Sequence, residues 1–548
     1  MKRCVPLILV ALATGALTGC RPSLDLIVTG GVVIDGTGEP GYTADIAVKD
    51  GRIIEIGDLY AQQAKRTVNA EGMVVAPGFI DMMGGSSLPL VLDPVSAESK
   101  LRQGITTMMS GEGASLAPLD ENLREAFERV RDYRPEWSTY AEYFSLLEDE
   151  GIALNVIHNV GAAQVRRIAI GDEDRQPTAE ELSLMRDLVT QAMEDGAVGL
   201  STALIYPPGS YASTEEIIEL ARVAASYGGV YFTHMRNESG QLLEAIEDAL
   251  RVGREANVPV HVYHLKAAGQ ENWQLMPRAL RLIERARGEG LRVTADVYPY
   301  IRNGIGLGSF IHPRHYAQGQ DAFLPTLDEA DVRRQLRREI ETTSDWENWY
   351  RHVGLDWTNV LISGVGRDGD SSIVGLTIQA VAEQRGVDVW DAFFDLVQAR
   401  GVSVNPKSMN EQQKHAAMRA PFMCFDTDAS PTNPAAVPSA HPRAFGSFPR
   451  VLAKYVREEQ VISLEEAIHK LASLPAQILG LEDRGQISTD MVADLVIFDP
   501  AKVQDRATFT QPLSYSEGID YVVVNGRLVI DGGRATGALP GEVIRHGR

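Results

Sequence analysis

Two histidines follow predicted neighbouring strands at the spacing expected of a shared metal site. His234 ends the apolar run GVYFTHM, and His264 lies in VPVHVYHLK, thirty residues further along. Thirty residues correspond to about one βα repeat, so the two imidazoles are expected to reach the same edge of a parallel sheet. Imidazole is a borderline ligand that suits Zn²⁺. The spacing therefore predicts that His234 and His264 converge on one ion.

The last predicted strand ends in two carboxylates, Asp426 and Asp428, in the run APFMCFDTD. An aspartate at such a strand end can hold a metal-bound water and shuttle its proton. Residues two apart on a strand share one face, so the spacing does not decide between the two. Asp296 in TADVYPY and Asp81 in PGFID are further candidates, with a turn or capping role as the alternative.

Most of the other histidines are interpreted as structural. His261 and His264 are three residues apart, so on a strand they would project to opposite faces. We assign His261 to the outer, helix-facing side and place Lys266 on the face of His264. A structural role is also the expectation for His158, His312, His315, His352, His415, His469 and His546.

Eight apolar runs alternate with amphipathic helical stretches between Pro77 and about residue 480, which predicts βα units and a parallel sheet. Eight such units indicate a (β/α)₈ barrel. Active sites of that fold lie at the carboxyl ends of the strands, where Glu112, His234, His264 and Asp428 fall. The runs are VVAPGFID, GITTMMSG, ALNVIHNVG, AVGLST, GVYFTHM, VPVHVYHL, RVTADVYPY and APFMCFDTD.

Both chain ends differ from this middle. They contain short apolar runs separated by Asp-Gly, Gly-Gly and Asn-Gly dipeptides, which are typical of hairpin turns. We expect residues 21–77 and 485–548 to fold together as one small β domain beside a barrel at 78–484. The stretch 308–415, with a ninth apolar run NVLISGV, is interpreted as an insertion between the last two barrel strands.

The composition excludes several classes of protein. The chain has 52 Lys and Arg against 74 Asp and Glu, a formal net charge of −22 at pH 7, and no basic run. Nucleic acid is therefore excluded as a partner, because phosphate binding needs a positive footprint. With 548 residues, of which 44% are hydrophobic, the chain can bury a large core and is neither disordered nor a disulfide-stapled miniature.

The first twenty residues have the composition of an export signal. Two basic residues precede the apolar stretch 5–17. This stretch has thirteen residues, whereas a membrane-spanning helix requires about 20 apolar residues. A retained span is the alternative. The tetrad LTGC, ending at Cys20, resembles the lipobox of bacterial lipoproteins, which implies cleavage before Cys20 and lipidation of its thiol. We expect residues 1–20 to be a lipoprotein signal peptide. The mature chain would then be anchored in the bacterial cell envelope, on the periplasmic side of a membrane if the source is Gram-negative.

Cys424 is the cysteine that remains once the signal is removed and Cys20 carries lipid. It lies in the apolar run PFMCF and is interpreted as a buried core thiol. No disulfide within the mature chain is expected.

From about residue 24 to the C-terminus the chain resembles the D-aminoacylase (N-acyl-D-amino-acid deacylase) family of the amidohydrolase superfamily. The resemblance implies an α/β fold, a distorted (β/α)₈ TIM-like barrel with a small β-sandwich domain built from both chain termini. The matching stretches, in the family's order, are APGFID, GITT, STALIYPPG, FTHMRNE, HLKAAG, TADVYPY, HPRAFGSFPRVL, LEEAIHKLASLPAQILGL and ADLVIFDP.

The resemblance also implies roles for individual residues. His234 and His264 match the two histidines of the family's tight zinc site, and Asp428 rather than Asp426 matches its catalytic aspartate. The positions that the family uses to polarise the scissile carbonyl and to bind the substrate's carboxylate are matched by Tyr206, Lys266, Tyr298 and Arg443.

Two departures from the family pattern concern the metal. The superfamily usually carries His-x-His after PGFID, whereas this chain has Met83 and Gly85 at those positions. Where many members place a ligand cysteine, this chain has Glu112, whose carboxylate can replace a thiolate on Zn²⁺; a solvated loop acid is the alternative. We therefore expect one tightly bound Zn²⁺ per chain, held by Glu112, His234 and His264.

The expected reaction is zinc-dependent hydrolysis of the amide bond of an N-acyl amino acid or a related small amide. Asp428 would move the water's proton, Tyr206 would stabilise the oxyanion, and Arg443 and Lys266 would bind a free carboxylate. The alternatives are a dipeptidase or cyclic-amide hydrolase of the same superfamily, or a catalytically impaired homologue that only binds a ligand. The sequence does not indicate the oligomeric state.

The lipobox generates a direct prediction. Cys20→Ala removes the thiol that would carry the lipid, so the variant should remain unlipidated and leave the membrane fraction. Fractionation of cells that produce either protein measures this. If the variant partitions with membranes like the parent, the lipobox interpretation is wrong.

Overall fold

The computed structural model describes residues 24–59, 62–344, 346–366 and 369–547. The predicted signal peptide and Cys20 lie outside the described residues, so the signal peptide and the lipid anchor stay predictions. Within the described residues, no helix is both long enough and apolar enough to cross a membrane.

The described chain begins with a hairpin-rich sheet. β2 pairs antiparallel with β1 and β3, whereas β4 and β5 pair parallel with β1. The turn between β2 and β3 consists of Asp50 and Gly51, with φ angles of 50° and 78°. Both angles are positive, as in the type I′ turn that Asp-Gly favours. The strands are Leu24–Val33 (β1), Tyr42–Lys49 (β2), Arg52–Gly57 (β3), Ala64–Asn69 (β4) and Val74–Pro77 (β5).

The middle of the chain forms parallel strands that are buried, as expected where helices cover a sheet. Strands lie in all of the apolar runs predicted for this region. Their bounds are Phe79–Asp81 (β6), Ile105–Ser110 (β7), Asn155–His158 (β8), Val160–Gly161 (β9), Gly199–Ala203 (β10), Val230–His234 (β11), Val260–Val262 (β12) and Val293–Val297 (β13).

After β13 the chain leaves the parallel strands and builds a small antiparallel sheet with an apolar core of its own. That sheet consists of Ile305–Gly306 (β14), Val360–Gly364 (β15) and Ser403–Pro406 (β16). Phe310, Trp357 and Phe393 are among the buried side chains of its core. The chain then returns to Met423–Phe425 (β17), which pairs parallel with β13.

The parallel strands form two arcs, and in the described chain their backbone pairing does not close a ring. One arc has the order β17-β13-β12-β11-β10-β9, and the other has the order β6-β7-β8. Side chains join β17 to β6: the Thr427 N–H donates to Asp81 Oδ1 at 2.9 Å, and the buried Lys100 Nζ donates to Asp81 Oδ2 at 2.7 Å. The barrel is therefore distorted, as the resemblance implies.

Some of the helices around the strands begin at a side-chain cap. Thr178 and Glu181, for example, form a reciprocal capping box at the start of the helix Ala179–Asp195. Two π-helical segments, Val451–Glu458 and His469–Ser473, continue the helices Arg443–Arg450 and Leu464–Ile468. The α-helices are Pro89–Leu92 (α1), Glu98–Leu101 (α2), Glu121–Arg131 (α3), Tyr140–Glu150 (α4), Ala162–Ala169 (α5), Ala179–Asp195 (α6), Thr214–Ser226 (α7), Leu242–Ala256 (α8), Met276–Gly288 (α9), Gln320–Phe323 (α10), Ala330–Thr342 (α11), Trp349–His352 (α12), Ile378–Arg385 (α13), Val389–Gln398 (α14), Glu411–Arg419 (α15), Arg443–Arg450 (α16), Leu464–Ile468 (α17) and Leu474–Leu479 (α18).

The C-terminal strands return to the first sheet. β18 pairs antiparallel with β5, so both chain ends share one nine-stranded sheet. The predicted Asn525-Gly526 hairpin is present, with φ angles of 47° and 78°. The last strands are Leu495–Phe498 (β18), Ile519–Val524 (β19), Arg527–Asp531 (β20) and Arg534–Ala535 (β21).

The placement of His261 on the helix-facing side is wrong. Its Nε2 lies 3.0 Å from Asp296 Oδ2, and its ring packs edge-on against Phe232 in the interior between the arcs. Strand alternation fails as a guide here because β12 ends at Val262, before His264 is reached. Cys424 is fully buried with a free thiol, as predicted.

Candidate active site

Glu112, His234 and His264 meet at the carboxyl ends of the parallel strands. Glu112 Oε1 lies 2.8 Å from His234 Nδ1 and 3.0 Å from His264 Nε2. The two imidazole rings are nearly perpendicular, with centroids 4.5 Å apart. Both histidines are buried, and the Glu112 side chain is 25% exposed. One carboxylate oxygen thus faces one nitrogen of each ring.

The backbone at each strand end aims these side chains. His234 is the last residue of β11, whereas His264 follows β12 with a φ of 36°. The Asp296 carboxylate accepts the His264 N–H and so supports this left-handed conformation. Glu112 lies between Gly111 and Gly113, whose φ angles are 111° and 66°. A Cβ at Gly113 would lie 2.5 Å from the Ala203 nitrogen, so the loop that presents Glu112 needs glycine there.

The three groups polarise one another. Burial alone would raise the pKa of Glu112, but hydrogen bonds to His234 and His264, and their charges, hold that pKa well below its usual range. Burial and Lys266 act to lower the pKa of His264, but Glu238 and Glu112 outweigh them and raise it to about 9. The carboxylate therefore stays ionised beside the two imidazoles.

This donor set fits a divalent metal ion. Two imidazoles and one carboxylate form a known protein shell for catalytic zinc, which leaves a fourth position for water or substrate. The three donor atoms lie within 4.8 Å of one another, and across the described ranges no second group of three His, Cys, Asp or Glu donors comes this close.

The positions of the missing His-x-His pair are filled by other atoms. Met83 is buried among apolar side chains. Gly85 has a φ of 72°, and an added Cβ would lie 2.5 Å from Ser430 Oγ and 2.8 Å from Ser430 N. A larger side chain would therefore clash with Ser430 at this position.

Asp428 and Arg443 form an ion pair beside the three donors. The Arg443 Nη1–H donates to Asp428 Oδ2, and the two side chains are 10% and 17% exposed. Burial raises the pKa of Asp428, although the Arg443 guanidinium and His264 oppose the rise. Asp428 has a φ of 44°, so the chain has already left the strand where its carboxylate turns toward the site.

Asp426 lies deeper than Asp428 and is fully buried. Burial and the negative charges of Asp296 and Asp428 raise the pKa of Asp426 well above its usual range. A fully buried carboxyl group does not face a substrate. Burial thus separates two residues that strand spacing left equivalent.

The remaining predicted site residues surround the same point. The Tyr206 ring meets the His234 ring edge-on, with centroids 5.5 Å apart, and Tyr206 is 45% exposed. The buried Tyr298 ring lies 4.9 Å from the Arg443 guanidinium carbon. Lys266 Nζ contacts His264 Nδ1 at 2.8 Å. The structure therefore brings together the predicted catalytic, metal-binding and substrate-binding residues, all of which lie in the described part of the chain.

Sequence reasoning missed three ionisable residues close to the site. Glu238 contacts Lys266 Nζ at 2.6 Å and His264 Nδ1 at 3.0 Å. Glu347 comes from the segment between β14 and β15 and accepts the Glu238 N–H at 2.8 Å. Lys414 Nζ lies 4.4 Å from the Tyr298 ring centroid, and burial lowers the pKa of Lys414 to about 7. The sequence offered a signal only for Glu238, which lies four residues after His234 in FTHMRNE.

Residues 66–530 of this chain match the sequence model of the amidohydrolase family. The chain belongs to the amidohydrolase family. This amidohydrolase is 34% identical to an N-acyl-D-glutamate deacylase of Alcaligenes xylosoxydans xylosoxydans, over 96% of this chain and 97% of the relative. It is 35% identical to a D-aminoacylase of the same organism, over 95% and 97% of the two chains. The resemblance found in the sequence is confirmed.

Solved structures agree with this assignment. An N-acyl-D-glutamate deacylase of Bordetella bronchiseptica, complexed with zinc and a phosphonate mimic of the tetrahedral intermediate, has a TM-score of 0.81 and 33% identity and covers 96% of this chain and 100% of its own. A D-aminoacylase structure has a TM-score of 0.79 and 33% sequence identity, and the match covers 95% of this chain and 100% of that structure. The amidohydrolase thus shares its fold with metal-containing relatives.

The geometry predicts that each of the three donors is needed for metal retention. His234→Ala or Glu112→Ala leaves two protein ligands, so either variant should lose most of its divalent metal on dialysis. Elemental analysis before and after dialysis measures this. His415→Ala is the control, because His415 pairs with Glu459 away from the site. If Glu112→Ala retains metal like the control, Glu112 is only a loop acid.

Proposed function

We propose that this amidohydrolase removes the acyl group from N-acyl-D-amino acids by hydrolysis of the amide bond, with one zinc ion per chain. The observation that carries the proposal is the cluster of Glu112, His234 and His264 with the Asp428–Arg443 pair beside it. The two relatives named from Alcaligenes are deacylases of N-acyl-D-amino acids by name, which supports the substrate class.

Glu112, His234 and His264 would hold the metal, which supplies a lowered water pKa and a polarised amide carbonyl when it is bound. Asp428 would accept a proton from the attacking water and return it to the departing nitrogen as the C–N bond breaks. Arg443 already engages Asp428 Oδ2, so Oδ1 is the proposed proton acceptor. The raised pKa of Asp428 suits a base that must also give the proton back.

Arg443 and Lys266 would bind the free carboxylate of the amino acid. A guanidinium has five N–H donors, and the buried Arg443 Nε–H has no partner among the described residues. The Lys266 ammonium has three N–H donors, of which one is donated to Glu238 Oε1. Tyr298 would form a wall of this subsite against Arg443.

Tyr206 is the proposed donor to the oxyanion. Its ring stands against His234, so a carbonyl at the metal would come within reach of the phenol O–H. Its partial exposure agrees with a residue that contacts substrate entering from solvent.

The alternatives have less support. A D-hydantoinase structure is 14% identical with a TM-score of 0.52, so this likeness shows the fold alone and does not favour cyclic amides. A homologue that only binds a ligand would not need a metal donor set and a carboxylate together, and this chain has both.

A hydrolysis screen tests the function. The zinc-loaded protein is incubated with N-acetyl-D- and N-acetyl-L-amino acids, dipeptides and dihydropyrimidines, and amine release is measured. We expect turnover of N-acetyl-D-amino acids above all the others. Turnover confined to dipeptides or cyclic amides would contradict the proposed substrate, and metal binding without any turnover would contradict catalysis.

Asp428→Asn separates proton transfer from metal binding. The amide is nearly isosteric but cannot accept a proton, and general base catalysis contributes about 10²–10⁴-fold, so kcat should fall by at least that factor while zinc content is retained. Asp426→Asn is the matched control and should keep most of the activity, since Asp426 is fully buried and does not face the substrate. A large loss of kcat in Asp426→Asn together with normal turnover in Asp428→Asn would mean that Asp426, and not Asp428, accepts the proton.

A further inference from the structure

Glu238 lies against the two histidines on the side away from Glu112. Its Oε1 lies 3.0 Å from His264 Nδ1, and its Oε2 lies 3.7 Å from His234 Nε2. The nitrogens that face Glu112 are the other two, His234 Nδ1 and His264 Nε2. Glu238 therefore presents one carboxylate oxygen to the far nitrogen of each ring.

The far nitrogen decides how an imidazole can bind a metal. A neutral ring has one N–H and one lone pair, and the lone pair must point at the ion. A carboxylate that accepts the far N–H fixes the tautomer and the ring orientation and makes the ligand nitrogen more basic. His234 Nε2 is buried and has no hydrogen-bond partner in the described chain, and Glu238 Oε2, at 3.7 Å, is the nearby carboxylate oxygen but lies beyond hydrogen-bond distance.

Glu238 is itself held in place. Its carbonyl oxygen accepts the Ala268 N–H at 2.7 Å, and its own N–H donates to Glu347 Oε1 at 2.8 Å. Lys266 Nζ lies 2.6 Å from Glu238 Oε1 and compensates its charge. Glu238 is 3% exposed, so these contacts are made away from water. Glu347 belongs to the segment between β14 and β15, and the added small sheet thereby reaches the metal site.

We propose that Glu238 is a positioning residue that holds His264 in its metal-binding orientation through the far ring nitrogen, Nδ1, and that Glu347 in turn positions Glu238. The inference rests on the metal site of the proposed function but is independent of the substrate. It assigns the antiparallel sheet β14–β16 and its surroundings a part in metal binding through Glu347.

The test measures metal affinity without turnover. Metal-free parent, Glu238→Gln and Glu347→Ala are titrated with Zn²⁺ against a chelating dye. Partners of this kind typically change metal affinity by about 10–100-fold, so Glu238→Gln should bind zinc more weakly than the parent by that factor. Glu347→Ala removes the oxygen that accepts the Glu238 N–H, so it should weaken zinc binding in the same direction and by less.

Glu216→Gln is the matched control, because Glu216 is a buried carboxylate that pairs with Arg166 outside the site. It should leave zinc affinity unchanged even if it lowers stability. The visible spectrum of the Co²⁺-loaded protein adds a second readout, and it should shift in Glu238→Gln and not in Glu216→Gln.

The inference is overturned if Glu238→Gln binds zinc as tightly as the parent, or if Glu216→Gln weakens binding equally. If Glu238→Gln does not fold, Glu347→Ala decides, and parental zinc affinity with an unchanged Co²⁺ spectrum in that variant overturns the proposal. A parent that binds no zinc would instead contradict the metal site of the proposed function.

Discussion

Glu112 Oε1 lies between His234 Nδ1 and His264 Nε2, and this contact links loops that follow three separate strands. A buried carboxylate is costly unless it is paired, and here two imidazoles, or a metal in their place, supply the pairing. The need to bring three donors to one point accounts for the glycines around Glu112 and for the left-handed backbone at His264. Function thus depends on backbone conformations that are sterically unfavourable and must be supported by their surroundings.

Support comes from buried polar side chains beneath the site. Asp296 accepts the His264 N–H and contacts His261, so a residue of the interior fixes the turn that carries a metal donor. Asp81 joins the two arcs through Thr427 and Lys100 at the place where backbone pairing stops. Removing one member of such a buried pair leaves an uncompensated charge and typically costs about 3–5 kcal/mol, so these contacts are expected to tolerate little change.

The sequence predicted the parts of the molecule that depend on local pattern. The apolar runs predicted where the strands lie, and Asp50-Gly51 and Asn525-Gly526 predicted two hairpin turns. The thirty-residue spacing of His234 and His264 predicted that the two side chains meet at one site. Pattern failed where tertiary contacts decide the outcome. The short strand β12 reversed the assignment of His261, and Asn159 divides one predicted strand into β8 and β9. No local sequence pattern marks Glu347 or Lys414 as part of the site.

The central claim is that Glu112, His234 and His264 hold one catalytic metal ion. Anomalous diffraction at the zinc edge from crystals of the zinc-loaded protein tests it most directly. The account predicts one strong peak per chain, about 2.0–2.2 Å from a Glu112 oxygen, His234 Nδ1 and His264 Nε2. A peak elsewhere, or a second peak of equal occupancy beside the first, would contradict it.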